Sequence, residues 1–132
     1  MNIALLAHDN KKKLMENLCV AYRHTLSRHE LYATGTTGKS IEQAVNLNVH
    51  KYLAGHLGGE QQLGAQISYN DIDLVIFLRD PLHNKQHEPD INFILRLCDM
   101  HNIPVASNLA TAEALLQALD RGDLDWREIV RQ

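Results

Sequence analysis

The sequence predicts an α/β fold: a single doubly wound domain over residues 1–132, with a mostly parallel central sheet and helices on both faces. Three observations predict it. Short apolar runs alternate with helical stripes. One run, Leu74-Val75-Ile76-Phe77-Leu78, is apolar without a break, which suits a parallel strand covered on both sides. Each strand-like run also ends in polar residues, and in doubly wound sheets ligands bind beyond the carboxyl ends of the strands.

The elements follow in order. Ile3–Ala7 is the first strand and ends in His8-Asp9. Leu14, Leu18, Tyr22 and Leu26 recur every fourth residue and mark a helix, with Lys11 to Lys13 as its solvated start. Glu30–Ala33 is the second strand, followed by Thr34-Gly35-Thr36-Thr37 and then a helical pattern. Gly58-Gly59 leads into another helix start, with Glu60 in its first turn. Asp73–Leu78 is the third strand and ends in Arg79-Asp80-Pro81. A loop carrying His83 and His87 precedes a helix starting near Pro89, with Asp90 in its first turn and a stripe of Ile91, Ile94, Leu95 and Cys98. Ile103–Ala106 is the fourth strand and ends in Ser107-Asn108. Ala112, Leu115, Leu116 and Leu119 stripe the next helix, with Thr111 as N-cap and Gly122 just past its end. A short helix from Asp125 closes the chain.

Composition narrows the function. Thirteen Lys and Arg against sixteen Asp and Glu give a net charge of −3, which is no footprint for nucleic acid. No apolar run approaches the roughly 18 residues of a membrane span. The amino-terminal strand lacks the charged and cleavable regions of a signal peptide. Cys19 and Cys98 lie on apolar helical faces and read as reduced core residues. These features together point to a cytoplasmic protein without membrane or nucleic-acid partners.

The most informative stretch is Tyr32-Ala33-Thr34-Gly35-Thr36-Thr37-Gly38-Lys39-Ser40. Glycines let backbone N–H groups turn toward a ligand, hydroxyls add donors, and the next helix adds a partial positive charge. That equipment suits a phosphate. Ala33 to Ser40 also fits the looser nucleotide-binding P-loop, with Asp80 as a magnesium carboxylate, but its first glycine is missing. His56, His83 and His87 raise a zinc site only weakly, since no cysteine joins them.

Three blocks together resemble the methylglyoxal synthase family. They are Ile3 to Asp9 with Leu31 to Gly38, Gly58-Gly59-Glu60-Gln61-Gln62-Leu63-Gly64-Ala65, and Asp73 to Leu82 with His87-Glu88-Pro89-Asp90 and Ile103 to Ala106. The resemblance runs over essentially residues 2–131. It implies a carbon–oxygen lyase that turns dihydroxyacetone phosphate into methylglyoxal and inorganic phosphate, a glycolytic bypass. It implies no metal or organic cofactor, a homohexamer, and allosteric inhibition by phosphate. By position, Thr34, Gly35, Thr36, Thr37 and Gly38 would cradle the phosphate, with Lys12 as counter-charge and Ala54 and Gly55 contributing backbone. His8 would line the substrate site. Glu60 would be the base, His87 would polarise the substrate oxygens, and Asp90 would orient His87. Asp9 and Asp80 would complete the carboxylates, and Arg127 would reach in from a neighbouring subunit.

The chain departs from that family near one place. Glu60 stands where the family has aspartate, His56 where it usually has proline, and Ala54 where it usually has serine. Glutamate keeps the charge but moves the carboxylate by about one bond length, and ~1 Å can cost ~100-fold in rate. The carboxylate's proton affinity is left open: a helix start lowers it, while desolvation and nearby aspartates raise it. The alternative function is a non-catalytic module of the same fold that binds a phosphorylated effector.

Overall fold

The computed structural model describes residues 1–54, 58–82 and 90–131. Five parallel strands form one sheet in the order β3-β2-β1-β4-β5. They are β1 (Asn2–Ala7), β2 (Glu30–Thr34), β3 (Val49–Tyr52), β4 (Leu74–Leu78) and β5 (Val105–Ala106). Between and after them lie α1 (Lys12–Ala21), α2 (Arg23–Leu26), α3 (Gly35–Val45), α4 (Gly59–Ser68), α5 (Ile91–His101), α6 (Leu109–Asp120) and α7 (Trp126–Val130). All four strand pairings are parallel, so the sheet is parallel throughout rather than mostly.

Alternate residues of the central strands feed two cores. Ile3, Leu5, Leu31, Ala33, Leu74 and Ile76 pack with Met15, Leu18, Ile41 and Leu116 on one face. Ala4, Leu6, Val75 and Phe77 pack with Leu63, Ile67, Ile94 and Cys98 on the other. The period-two side-chain alternation of a strand becomes two apolar layers because helices cover both faces. Both cysteines are free and buried, and burial pushes each thiol up to about 12.

Several expectations are corrected. β3 is a fifth strand that no apolar run announces: it sits at the sheet edge, and His50 and Lys51 face solvent. The long helix expected from Leu14 to Leu26 is two helices, parted at Tyr22. The N-cap of α6 is Asn108, whose side chain accepts from the Thr111 N–H at 3.0 Å; Thr111 is three residues inside. The helix expected near Pro89 starts at Ile91 with Asp90 as its cap. Gly122 does end α6, at φ 82°, and the Gly122 and Asp123 N–H groups close the Schellman pattern on Leu119 and Ala118.

Arg127 is the largest correction. It was expected to reach a neighbouring subunit, yet it is 0% exposed within its own chain. Its guanidinium donates to the His101 and Ile72 carbonyls and to Asn70 Oδ1, at 3.1, 2.9 and 2.7 Å. It pairs with the buried Asp73 at 3.4 Å, as does Arg131 at 3.2 Å. Asp73 in turn accepts from the Asn2 N–H at 2.8 Å. This cluster lies where β1 and β4 begin, the edge opposite the polar strand ends, and it fastens α7 to the sheet. Removing one partner of a buried pair leaves the other charge uncompensated. Arg127→Ala is therefore expected to lose about 3–5 kcal/mol of stability in urea unfolding. Arg127→Lys is expected to recover little of that, because a lysine cannot reproduce the guanidinium fork.

Candidate active site at the carboxyl edge of the sheet

Parallel pairing gathers the strand ends on one edge. Leu5 lies opposite Ala33, Ala7 opposite Leu78, and Thr34 opposite Tyr52. The residues that follow β1, β2, β3 and β4 therefore emerge side by side. They are His8, Gly35, Leu53 and Arg79.

After β2 there is no loop. Thr34 ends the strand and Gly35 begins α3, so the expected turn is the first turn of the helix. No side-chain cap closes that end. The first N–H groups of a helix have no partner within it and carry the positive end of its dipole. Thr34 and Thr37 are buried and Thr36 is exposed. Lys12 Nζ donates to Thr36 Oγ1 at 3.1 Å and pairs with Asp9 at 3.3 Å, so a cation stands at this amide cluster. The same geometry removes the P-loop reading. Gly38, Lys39 and Ser40 lie inside α3, Lys39 points to solvent, and the Ser40 hydroxyl donates to Glu16.

Two glycines then hold α3 and α4 to one segment. A Cβ on Gly35 would stand 3.2 Å from the Tyr52 carbonyl oxygen and 3.8 Å from Ala54 N. A Cβ on Gly59 would stand 1.9 Å from the Leu53 carbonyl oxygen, which no side chain can do. Gly58 precedes it at φ 106°, a conformation that favours glycine. The Gly59 N–H donates to the Ala54 carbonyl at 3.1 Å, and the Leu53 N–H donates to Gln62 Oε1 at 2.7 Å. The starts of α3 and α4 thus rest on the same residues, 52–54.

Glu60 stands in the first turn of α4, half-buried. Its Oε1 accepts from the Asp90 N–H at 2.7 Å, and the Asp90 carboxylate accepts from the Asn92 N–H at 2.9 Å. Desolvation pushes the Glu60 carboxyl above its ordinary value, and the Asp90 charge adds to that; the Asp90 N–H opposes both. Burial therefore wins at the position the sequence left open. A carboxylate so raised is a stronger base than an exposed one.

The ends of β1 and β4 are joined. His8 is buried, and its Nδ1 accepts from the Asp80 N–H at 2.8 Å. In the neutral ring this puts the proton on Nε2. His8 also packs edge-on against Phe77, centroids 5.2 Å apart. Asp80 is buried; its Oδ2 accepts from Asn10 Nδ2 and its Oδ1 from the Leu82 N–H, both at 2.9 Å.

Sequence reasoning thus named His8, Asp9, Lys12, Thr34, Gly35, Thr36, Thr37, Ala54, Glu60, Asp80 and Asp90, all of which stand at or beside this edge. Gly38 lies one residue deeper in α3, against the Lys51 stem. Gly55, His56, His83 and His87 lie outside the described residues. Asn10 and Gln62 were missed. Both sit within three residues of a named group, and their signal was only that position.

Residues 15–107 match the family model described as an MGS-like domain. The chain is 65% identical over 130 residues to the methylglyoxal synthase of Caldicellulosiruptor saccharolyticus, covering 98% of this chain and 92% of that one. It is 61% identical over 132 residues to that of Alkaliphilus metalliredigens, covering 100% and 98%. The chain belongs to the methylglyoxal synthase family. A crystal structure of methylglyoxal synthase from Elizabethkingia anophelis superposes with a TM-score of 0.84 at 43% identity, covering 87% of this chain and 76% of that one.

The raised carboxyl of Glu60 has a consequence for stability. The fold favours its protonated form, so its contribution is full below the unfolded value and is lost as pH rises through the raised one. Glu60→Gln keeps the acceptor for the Asp90 N–H without the charge. Its thermal midpoint is expected to exceed wild type at pH 8, and the advantage should shrink at pH 4. A constant difference across that range would contradict the shift.

Proposed function

We propose that this chain is a carbon–oxygen lyase that converts dihydroxyacetone phosphate to methylglyoxal and inorganic phosphate. The observation that carries the reading is the shared anchor at residues 52–54. It sets an amide-rich helix start with its lysine and a desolvated carboxylate on one strand exit. Membership of the family supplies the reaction class.

In this reading the phosphate sits on the first N–H groups of α3, with the Thr36 hydroxyl and Lys12. Glu60 removes a proton from the hydroxymethyl carbon beside the ketone. The electron pair forms an enediolate, whose oxygens need a donor. His87 takes that role by resemblance to the family. His8, whose ring carries its proton on Nε2, lines the same edge. The enediolate then collapses. Its hydroxyl proton leaves on phosphate as the carbon–oxygen bond on the far side of the former ketone breaks. The enolate so formed takes back a proton at its terminal carbon and becomes methylglyoxal. The α3 amides would hold the departing dianion more tightly than the ester, which favours elimination. Asp9, Asp80 and Asp90 supply negative charge around the base. Among the described residues no helix is long and apolar enough to cross a membrane, and the substrate is a small metabolite. The proposed setting is the cytoplasm, the proposed assembly a homohexamer, and phosphate both product and allosteric inhibitor.

Incubation with dihydroxyacetone phosphate is expected to release methylglyoxal and phosphate in equal amounts. Glu60→Gln is expected to lower kcat at least ~100-fold, in line with removal of a general base. Glu60→Asp is expected to remain active. Turnover by Glu60→Gln at the wild-type rate would remove Glu60 from the mechanism.

A further inference from the structure

We propose that Asn10 is a positioning residue for the His8–Asp80 pair, and this rests on the lyase reading above. Asn10 lies in the short 3-10 turn Asp9–Lys11 that follows β1 and is exposed there. Its side chain reaches across 70 residues of sequence to Asp80 Oδ2 at 2.9 Å. The Leu82 N–H holds the other oxygen. The Asp80 N–H donates to His8 Nδ1, so the residue that Asn10 grips also fixes the orientation and tautomer of the buried imidazole. The turn itself is closed by the Lys11 N–H on the His8 carbonyl at 2.8 Å. Asn10 therefore ties the exits of the two central strands to each other beside the substrate edge.

The residue type suits the task. A carboxylate only accepts, so the Asn10 amide must present its nitrogen. An amide donor fixes both the place and the direction of Asp80 without adding a cation. A lysine at this position would instead put a cation against Asp80. Lys12, two residues on, supplies a cation to Thr36 instead. The turn and the first residue of α1 thus send a neutral donor to the carboxylate side and a charged one to the phosphate side.

The test compares wild type, Asn10→Ala and Asn10→Gln. Turnover of dihydroxyacetone phosphate gives kcat and KM, and amide hydrogen exchange is read at Asp80 and Leu82. Asn10→Ala is expected to lower kcat by about tenfold, with KM within about twofold of wild type. Exchange at Asp80 and Leu82 should quicken, and the thermal midpoint should move by no more than about 2 °C, since surface changes cost little. Asn10→Gln keeps the donor and should restore both kcat and exchange. Unchanged kcat and exchange in Asn10→Ala would overturn the proposal. So would a loss that follows the thermal midpoint and is not restored by Asn10→Gln. A wild-type chain without turnover would sink the lyase reading instead, while exchange at Asp80 and Leu82 would still decide whether Asn10 holds the pair.

Discussion

The site depends on how closely two helices approach one strand exit. Gly59 meets the Leu53 carbonyl at a distance that leaves no room for a methyl group, and Gly35 sits against the Tyr52 carbonyl less closely but still tightly. Both contacts are backbone on backbone, so they cannot be relieved by a rotamer change. They make residues 52–54 a common floor for α3 and α4. The amides that open α3 and the carboxylate that opens α4 inherit their relation from that floor. Interiors packed at crystal-like density transmit such constraints rather than absorb them. Glu60 is held at its other end, where its Oε1 accepts from the Asp90 N–H at the start of α5.

The two edges of the sheet divide the work. At the edge where the strands begin, Asp73, Arg127 and Arg131 bury charge to fasten the last helix. At the edge where they end, charge is left partly wet: Lys12 stands with Asp9 and Thr36, while half-buried Glu60 faces Asp90. A buried charge cluster resists separation because removing one partner strands the others, whereas a carboxylate raised by desolvation is poised to take a proton. The parallel register makes this division possible, since every strand points its chemistry the same way.

Much of this was legible in the sequence because it rests on local patterns. The unbroken Leu74 to Leu78 run suited a covered strand and forms one, and the Thr-Gly-Thr-Thr stretch after Glu30–Ala33 marked the start of α3 at the carboxyl edge. The edge strand Val49–Tyr52 was not legible, since half its side chains face water and carry no apolar signature. Nor was the break at Tyr22, because both helices share one stripe. Arg127 misled for a different reason: its place at a neighbouring subunit came from the family resemblance, and only tertiary contacts with Asn70, Ile72 and Asp73 show it to be interior. Asn10 and Gln62 act through partners far off in the chain or on another element, which local spacing cannot reveal.

The central claim is that one small anion bridges the start of α3 and the Glu60 carboxylate. A crystal structure with a phosphorylated hydroxamate, a mimic of the enediolate, tests it most directly. The account predicts the phosphate on the N–H groups of Gly35, Thr36 and Thr37, with Glu60 in contact with the hydroxamate carbon's substituents. A phosphate bound elsewhere, or a Glu60 side chain turned away to bulk water with the mimic in place, would contradict it.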